Sequence, residues 1–120
     1  MKKSHMQHQR EQDQAAEVEL EMERIEQDMR EILLSGDEFP LRYHRPGFLH
    51  PITSVYNHDD VVNAMIELDD AAFNRAVMMT STDPIEAAKI LTNLMARAVE
   101  QLIGLAPIRE AAMYQEDAAA

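Results

Sequence analysis

The chain has 120 residues, of which 28% are charged, and its formal net charge at pH 7 is -11. Such a length suits one domain with a modest core. The negative charge disfavours direct binding to nucleic acid or anionic lipid and favours a basic protein partner. The absence of cysteine excludes disulfides and thiolate zinc sites.

No apolar run approaches the roughly 18 residues that a membrane span needs. Two lysines near the start resemble the charged region of a signal peptide, but the residues that follow them are polar. These features, together with the lack of cysteine, predict a cytoplasmic protein without a membrane segment.

In chain order, residues 1–10 predict a flexible tail, and residues 11–35 predict a long acidic helix. Between Glu11 and Glu31 there are nine acidic and two basic residues, a net charge of -7. Glutamate, glutamine, methionine and alanine dominate this segment, and all four favour helix. Gly36 is suited to the left-handed position that ends a helix.

Small and apolar residues recur along this helix at heptad spacing, which predicts a seam for packing against another element. They are Ala15, Val18, Met22, Ile25, Met29 and Ile32. In a parallel homodimer Glu21 would face Glu26 of the other copy. Each exposed like-charge pair costs only a few tenths of a kcal/mol, so acidic flanks weaken self-pairing without forbidding it.

Three interpretations of the seam remain open: packing inside the domain, pairing with a second copy, or docking on a basic surface of another protein. The rest of the chain offers few basic residues that could neutralise this helix. This strengthens the third interpretation. We therefore predict a partner-binding set on the helix, consisting of Glu19, Glu21, Met22, Glu23, Ile25, Glu26 and Met29.

Residues 36–56 contain three prolines and four of the six aromatic residues, which predicts an extended arm packed on the helices. Leu49–Thr53 and Val55–Tyr56 predict at most a short strand. Arginine beside aromatic rings can stack on bases or hold phosphate. One interpretation of the arm is that it binds a small anionic ligand such as a nucleotide. The favoured interpretation is that its arginines pair with the acidic helix. The possible ligand-binding set is Arg42, Tyr43, His44 and Arg45.

Residues 57–115 predict a helical hairpin, and residues 116–120 a second flexible tail. One helix is predicted from the N-cap Asn57 to about Met79. Asp83 and Pro84 begin another that runs to about Ile103, and one or two further turns follow. The first of these helices is apolar on more than one side, which predicts a homodimer through the hairpin.

We predict no catalytic residue, no metal ligand and no cofactor. The histidine spacing matches no zinc signature, and the paired aspartates at 69 and 70 predict a solvated helix face. No glycine-rich phosphate loop or nucleophile motif is present.

The predicted fold is all-α, with an acidic helix, an arm and a helical hairpin. The predicted function is non-enzymatic binding, and plausible inhibition, of a protein with a basic surface, such as a nucleic-acid-handling factor. The alternatives are a self-assembling structural protein and a binder of small anions. In size, acidity and helicity the chain resembles, at the level of class only, accessory proteins of phages and other mobile elements.

Overall fold

The structure, a computed structural model, describes the backbone of residues 5–119 and the side-chain environments of residues 13–115. Its elements are α1 (His5–Leu34), β1 (Phe39–Tyr43), β2 (Ile52–Tyr56), α2 (His58–Leu68), α3 (Asp70–Met79), α4 (Pro84–Leu105) and α5 (Ile108–Ala119). Residues 1–4 and 120, which belong to the predicted tails, lie outside the described range. No helix within that range has the length and apolar content needed to cross a bilayer.

The prediction of an all-α fold is wrong, because the arm folds into a two-stranded antiparallel sheet of β1 and β2. Burial alternates along β1: Phe39, Leu41 and Tyr43 are buried, whereas Pro40 and Arg42 are exposed. This period of two is the signature of a strand with one covered face. The prolines argued against a sheet, but proline is tolerated in edge strands, and both strands of a two-stranded sheet are edges.

The acidic helix α1 ends where the sequence predicts. Gly36 has a φ of +88°, and its N–H donates to the carbonyl of Leu33 at 3.1 Å, while the N–H of Asp37 donates to the carbonyl of Ile32 at 3.1 Å. These two bonds satisfy carbonyl groups that a helix end leaves unpaired. At its other end the helix begins at His5 rather than at about residue 12.

The helix predicted from 57 to about 79 is divided into α2 and α3 by the single residue Asp69. Its φ of -159° and ψ of 84° are not helical, and its side chain accepts a hydrogen bond from the N–H of Ala72 at 3.0 Å. Aspartate is a strong N-cap, so α3 begins anew at this position. Because the chain leaves the helical conformation at Asp69, the apolar residues between 58 and 79 belong to two helices. They therefore need not form one continuous stripe.

Both predicted helix starts in this region are confirmed. Asn57 forms a reciprocal capping box with Asp60 at the start of α2. Asp83 accepts a hydrogen bond from the N–H of Glu86 at 3.2 Å at the start of α4, with Pro84 in the first turn. The helix α4 continues two residues beyond the predicted end, and α5 is longer than the one or two turns expected.

By backbone contacts the chain forms two compact units. The first comprises Met1–Asp28, Leu41–Ser54 and Pro107–Ala120, and the second comprises Met29–Pro40 and Val55–Ala106. In the second unit α4 packs against both α2 and α3. Its buried side chains include Met29, Leu33, Val61, Met65, Ala76, Leu94, Ala98 and Val99. The first unit buries Ile25, Leu41, Tyr43, Ile108, Ala111 and Ala112.

Candidate functional site

Burial of the apolar seam of α1 rises along the helix to Met29 and falls again at Ile32, which is half-buried. Ala15 is exposed, Val18 and Met22 are half-buried, and Ile25 and Met29 are buried, with 2% and 0% of their surface exposed. In the latter half of the seam the chain's own residues therefore cover the apolar side chains. The first half remains partly open to solvent.

The partner-binding residues predicted on α1 consequently fall into two groups. Ile25 and Met29 are core residues, so they contribute to folding and form no part of the exposed surface. The other members remain at the surface: Glu19 and Glu23 are exposed, and Glu21, Met22 and Glu26 are half-buried.

Arg24 neutralises part of the acidic surface. Its guanidinium bonds the carboxylate of Glu21, the carboxylate of Asp28 at 2.8 Å, and the side-chain oxygen of Gln115 at 2.9 Å. The hydrogen bonds from Arg24 lower the pKa of Glu21, and the same bonds raise the pKa of Arg24. Glu21 is therefore held by its own helix and offers little charge to a partner.

Two other ion pairs differ in geometry. Arg30 makes two hydrogen bonds to the carboxylate of Glu100, at 2.7 and 3.1 Å, within the second unit. Arg109 lies 4.0 Å from Glu19, and both side chains are about two-thirds exposed. An exposed pair at that separation contributes little, so the charge of Glu19 remains available.

The remaining carboxylates on this part of α1 surround one exposed apolar side chain. Leu20 is 66% exposed, and Glu17 and Glu23 lie three residues before and after it, one helical turn away on either side. Among the side chains that the structure describes, Glu17, Glu23 and Glu26 have no ion-pair partner. We call the surface formed by Glu17, Glu19, Leu20, Glu23 and Glu26 the acidic face.

The basic residues of the arm lie against aromatic rings rather than against the acidic helix. The guanidinium of Arg42 lies 5.9 Å from the ring centre of Tyr114, and that of Arg45 lies 5.2 Å from the ring centre of Tyr43. These are cation–π contacts. The favoured reading of the arm, pairing of both arginines with acids of α1, has no counterpart among the ion pairs of the described residues.

The arm residues predicted to hold a small anion are placed differently from one another. Tyr43 is buried, with its hydroxyl 3.2 Å from that of Ser54. Arg42, His44 and Arg45 are exposed, and the two guanidinium groups lie on different rings. The small-anion function stays a prediction.

The loop between β1 and β2 exposes two adjacent apolar side chains. Phe48 is 55% exposed and Leu49 is 94% exposed. The Phe48 N–H donates to the carbonyl of Arg45 at 3.2 Å, which closes a turn, and Gly47 within it has a φ of +90°. A positive φ is strained for other residues, so glycine suits this position. We call residues 44–50 the hairpin tip.

Neither surface resembles a catalytic or metal centre. In the described part of the chain no three histidine or acidic side chains are grouped so as to hold a metal ion. A shallow open depression of about 590 Å³ lies on α4, lined by Pro84, Ile85, Ala88, Lys89, Thr92 and Asn93. A depression lined by one helix, without a nucleophile and acid–base pair, offers no mechanism.

Leu20, Phe48 and Leu49 are candidate binding residues that were not predicted from the sequence. Leu20 occupies the outermost position of the heptad, which is normally polar, and an apolar residue there is a readable signal. Pro46 followed by Gly47 is typical of a turn, but without the strands on either side this pair does not indicate which side chains the turn exposes.

No family model matches the chain, and neither the curated proteins nor the solved structures contain a similar one. The class-level resemblance to accessory proteins of mobile elements stays a prediction. Any functional proposal therefore rests on the charges, exposures and contacts of the two surfaces themselves.

Proposed function

We propose that the protein is a non-enzymatic binding protein whose acidic face engages a basic surface on another protein. The observation that supports this function best is the exposure of Leu20, at 66%, between the carboxylates of Glu17 and Glu23. An apolar side chain bordered by acids complements a partner surface in which an apolar patch is bordered by lysine and arginine.

The charges of the acidic face support the same proposal. Glu17, Glu23 and Glu26 have no ion-pair partner among the described side chains, so a basic partner would not have to displace an existing ion pair from them. Glu21 and Asp28, which Arg24 pairs, lie outside this face, and Glu19 has only the long, exposed contact with Arg109. The face thus combines free carboxylates with an apolar centre, which is the usual anatomy of a small interface.

A nucleic-acid-handling factor is the partner class that this chemistry fits best. Such proteins present rows of lysine and arginine that neutralise phosphates. Carboxylates on a helix compete for the same cations, so occupation of that surface by the acidic face would exclude nucleic acid. Inhibition would then follow from competition, without any chemical reaction.

The test compares two variants that each lose three negative charges. The face variant carries Glu17→Gln, Glu19→Gln and Glu23→Gln. The control variant carries Glu38→Gln, Glu67→Gln and Glu110→Gln, at exposed positions outside the face. Glutamine keeps the size and helix propensity of glutamate, so the two variants differ mainly in where charge is removed.

Binding is measured by fluorescence anisotropy with a synthetic amphipathic helix that has a leucine row bordered by lysine and arginine. If each carboxylate contributes roughly 0.5 kcal/mol, the face variant loses about tenfold in affinity and the control variant less than about twofold. Raising the salt concentration from about 50 to 300 mM should weaken the wild type. Equal losses in the two variants, or no loss in either, would contradict the proposal.

The same three chains then serve as baits in cell extracts from the native source. A specific partner is retained by the wild type and by the control variant and is lost from the face variant. Proteins retained equally by all three baits bind elsewhere. If no protein shows the specific pattern, the acidic face is not a partner surface under those conditions and the proposal fails.

A further inference from the structure

The hairpin tip has a composition opposite to that of the acidic face. Its exposed Phe48 and Leu49 lie beside the exposed side chains of Arg45 and His50. No acidic residue occurs between Glu38 and Asp59. The tip is therefore an apolar pair bordered by cationic or titratable groups, in a chain that is otherwise strongly negative.

Three contacts within the chain support the conformation of the tip. A hydrogen bond from the Phe48 N–H to the Arg45 carbonyl closes its turn at 3.2 Å, and the Nε2 of His44 lies 3.1 Å from the carbonyl of Phe48. Arg45 is held over the ring of Tyr43. A preformed loop loses less conformational entropy when it binds than a flexible loop, so two exposed apolar side chains suffice for a weak contact.

We propose that the hairpin tip docks on the acidic face of a second copy of this chain. Phe48 and Leu49 would cover the exposed Leu20 of the other copy, while Arg45 would approach its carboxylates. This inference names the surface to which the tip binds. It rests on the proposed function in one respect, because both treat the acidic face as a binding surface.

Charge complementarity favours a second copy over other occupants. The tip requires a ligand with an apolar centre and a negative border, and the acidic face has both: Leu20 is exposed between Glu17 and Glu23. Anionic lipid and nucleic acid would meet a chain of net charge -11, which opposes their approach. Two copies also carry a net repulsion, so the contact should be weak and confined to the complementary patches.

The contact joins two different surfaces of the chain. Two such contacts made reciprocally would close a dimer, and contacts made in one direction would form an open chain. In both arrangements the tip of one copy covers the acidic face of another. A basic partner would then have to displace the tip, so self-association and partner capture would compete for one surface.

The first test measures the oligomeric state by sedimentation velocity across a series of concentrations. Leu49→Asp places a negative charge at the centre of the tip, at a residue that is 94% exposed and contributes little to the fold. Met78→Asp is the matched control, on α3 at a residue that is 80% exposed. Association of the wild type should weaken at least about tenfold in Leu49→Asp and persist in Met78→Asp.

Any result other than this pattern overturns the inference. A wild type that stays monomeric at every concentration removes it. Association that survives Leu49→Asp and is lost in Met78→Asp places the contact on the helical hairpin instead. Binding of the tip to vesicles of equimolar phosphatidylcholine and phosphatidylserine, lost in Leu49→Asp and without self-association, identifies a lipid surface as the occupant. Far-UV circular dichroism confirms that each variant is folded.

The second test uses complementation. Leu49→Asp keeps an intact acidic face, and the face variant with Glu17→Gln, Glu19→Gln and Glu23→Gln keeps an intact tip. Each should self-associate poorly, whereas their mixture retains one functional contact and should form mixed pairs. With isotope-labelled Leu49→Asp, amide shifts should appear around Leu20, and with the labelled face variant they should appear at residues 44–50. Absence of shifts in both mixtures overturns the inference.

Failure of the inference and failure of the proposed function are separable. Leu49→Asp should bind the basic helix peptide at least as well as the wild type, because its acidic face is unchanged and no longer competed for. If the peptide binds normally and copies do not associate, only the inference fails. If copies associate as described and the face variant binds the peptide like the wild type, only the proposed function fails.

Discussion

The two halves of the α1 seam share one apolar spacing but differ in burial. In the first half Ala15 is exposed and Met22 is half-buried, and in the second half Ile25 and Met29 are buried. The change in burial falls between Met22 and Ile25, both of which belong to the first unit's part of the helix. A heptad pattern thus identifies side chains that need cover, whereas the rest of the chain decides which of them receive it.

The largest contrast along α1 is expected between two leucines that lie outside the seam. Leu33 is 1% exposed and Leu20 is 66% exposed. Leu33→Ala removes a packed side chain and leaves a cavity, so the free energy of unfolding should fall by about 3 kcal/mol. Leu20→Ala should change it by less than about 0.5 kcal/mol. Urea denaturation of both variants measures this, and equal losses would contradict the difference in burial between Leu33 and Leu20.

Methionine provides a smaller contrast on the seam itself. Met29→Ala should lower the free energy of unfolding by about 2 to 3 kcal/mol, because Met29 is fully buried. Met22→Ala should lower it by about 1 kcal/mol, because that side chain is only half-buried. Thermal and urea unfolding should rank the two variants in this order. A reversed order would mean that the first half of the seam carries the tighter packing.

The ion pairs of α1 should show a weaker contrast. Arg30 bonds Glu100 through two nitrogens, and its side chain is 33% exposed. Arg30→Gln should therefore cost about 0.5 to 1 kcal/mol of unfolding free energy. Arg109→Gln should cost nothing measurable, because Arg109 lies 4.0 Å from Glu19 with both side chains largely exposed. A larger loss from Arg109→Gln would contradict the geometry of both pairs.

The smallest effect concerns Glu21, whose pKa is lowered by its hydrogen bonds to Arg24. A carboxylate with a lowered pKa in the folded state contributes stability that is present above its unfolded pKa. That stability is lost as the pH falls below about 4.5 and through the folded pKa. The stability difference between wild type and Glu21→Gln should shrink over that interval. Arg24→Gln should flatten the same part of the profile, and an unchanged profile would contradict the assignment.

Local signals predicted three of the helix ends, whereas the break at Asp69 and the long-range packing were not predicted. Asn57, Asp83 and Gly36 act on backbone groups within a few residues, so their roles follow from chemistry that the sequence displays. The pairing of β1 with β2 joins segments separated by an eight-residue loop, and prolines concealed the alternation of Phe39–Tyr43.

The candidate surfaces were also predictable from the sequence only in part. The acidic character of α1 follows from composition, and Glu19 and Glu23 are exposed as expected. The burial of Ile25 and Met29 depends on what the folded chain places over them, and periodicity carries no such information. Exposure of Phe48 and Leu49 depends in turn on the sheet that forms the hairpin.

The non-helical backbone of a single residue, Asp69, divides α2 from α3. Its N–H closes α2 by donating to the carbonyl of Met65, and its carbonyl accepts the N–H of Phe73 as α3 begins. The backbone hydrogen bonds of α2 and those of α3 thus meet at one non-helical residue. Replacing it by alanine would remove the cap and favour one fused rod over residues 58–79. The change of direction between α2 and α3 is therefore located at one residue, whose carboxylate supplies the cap of the second helix.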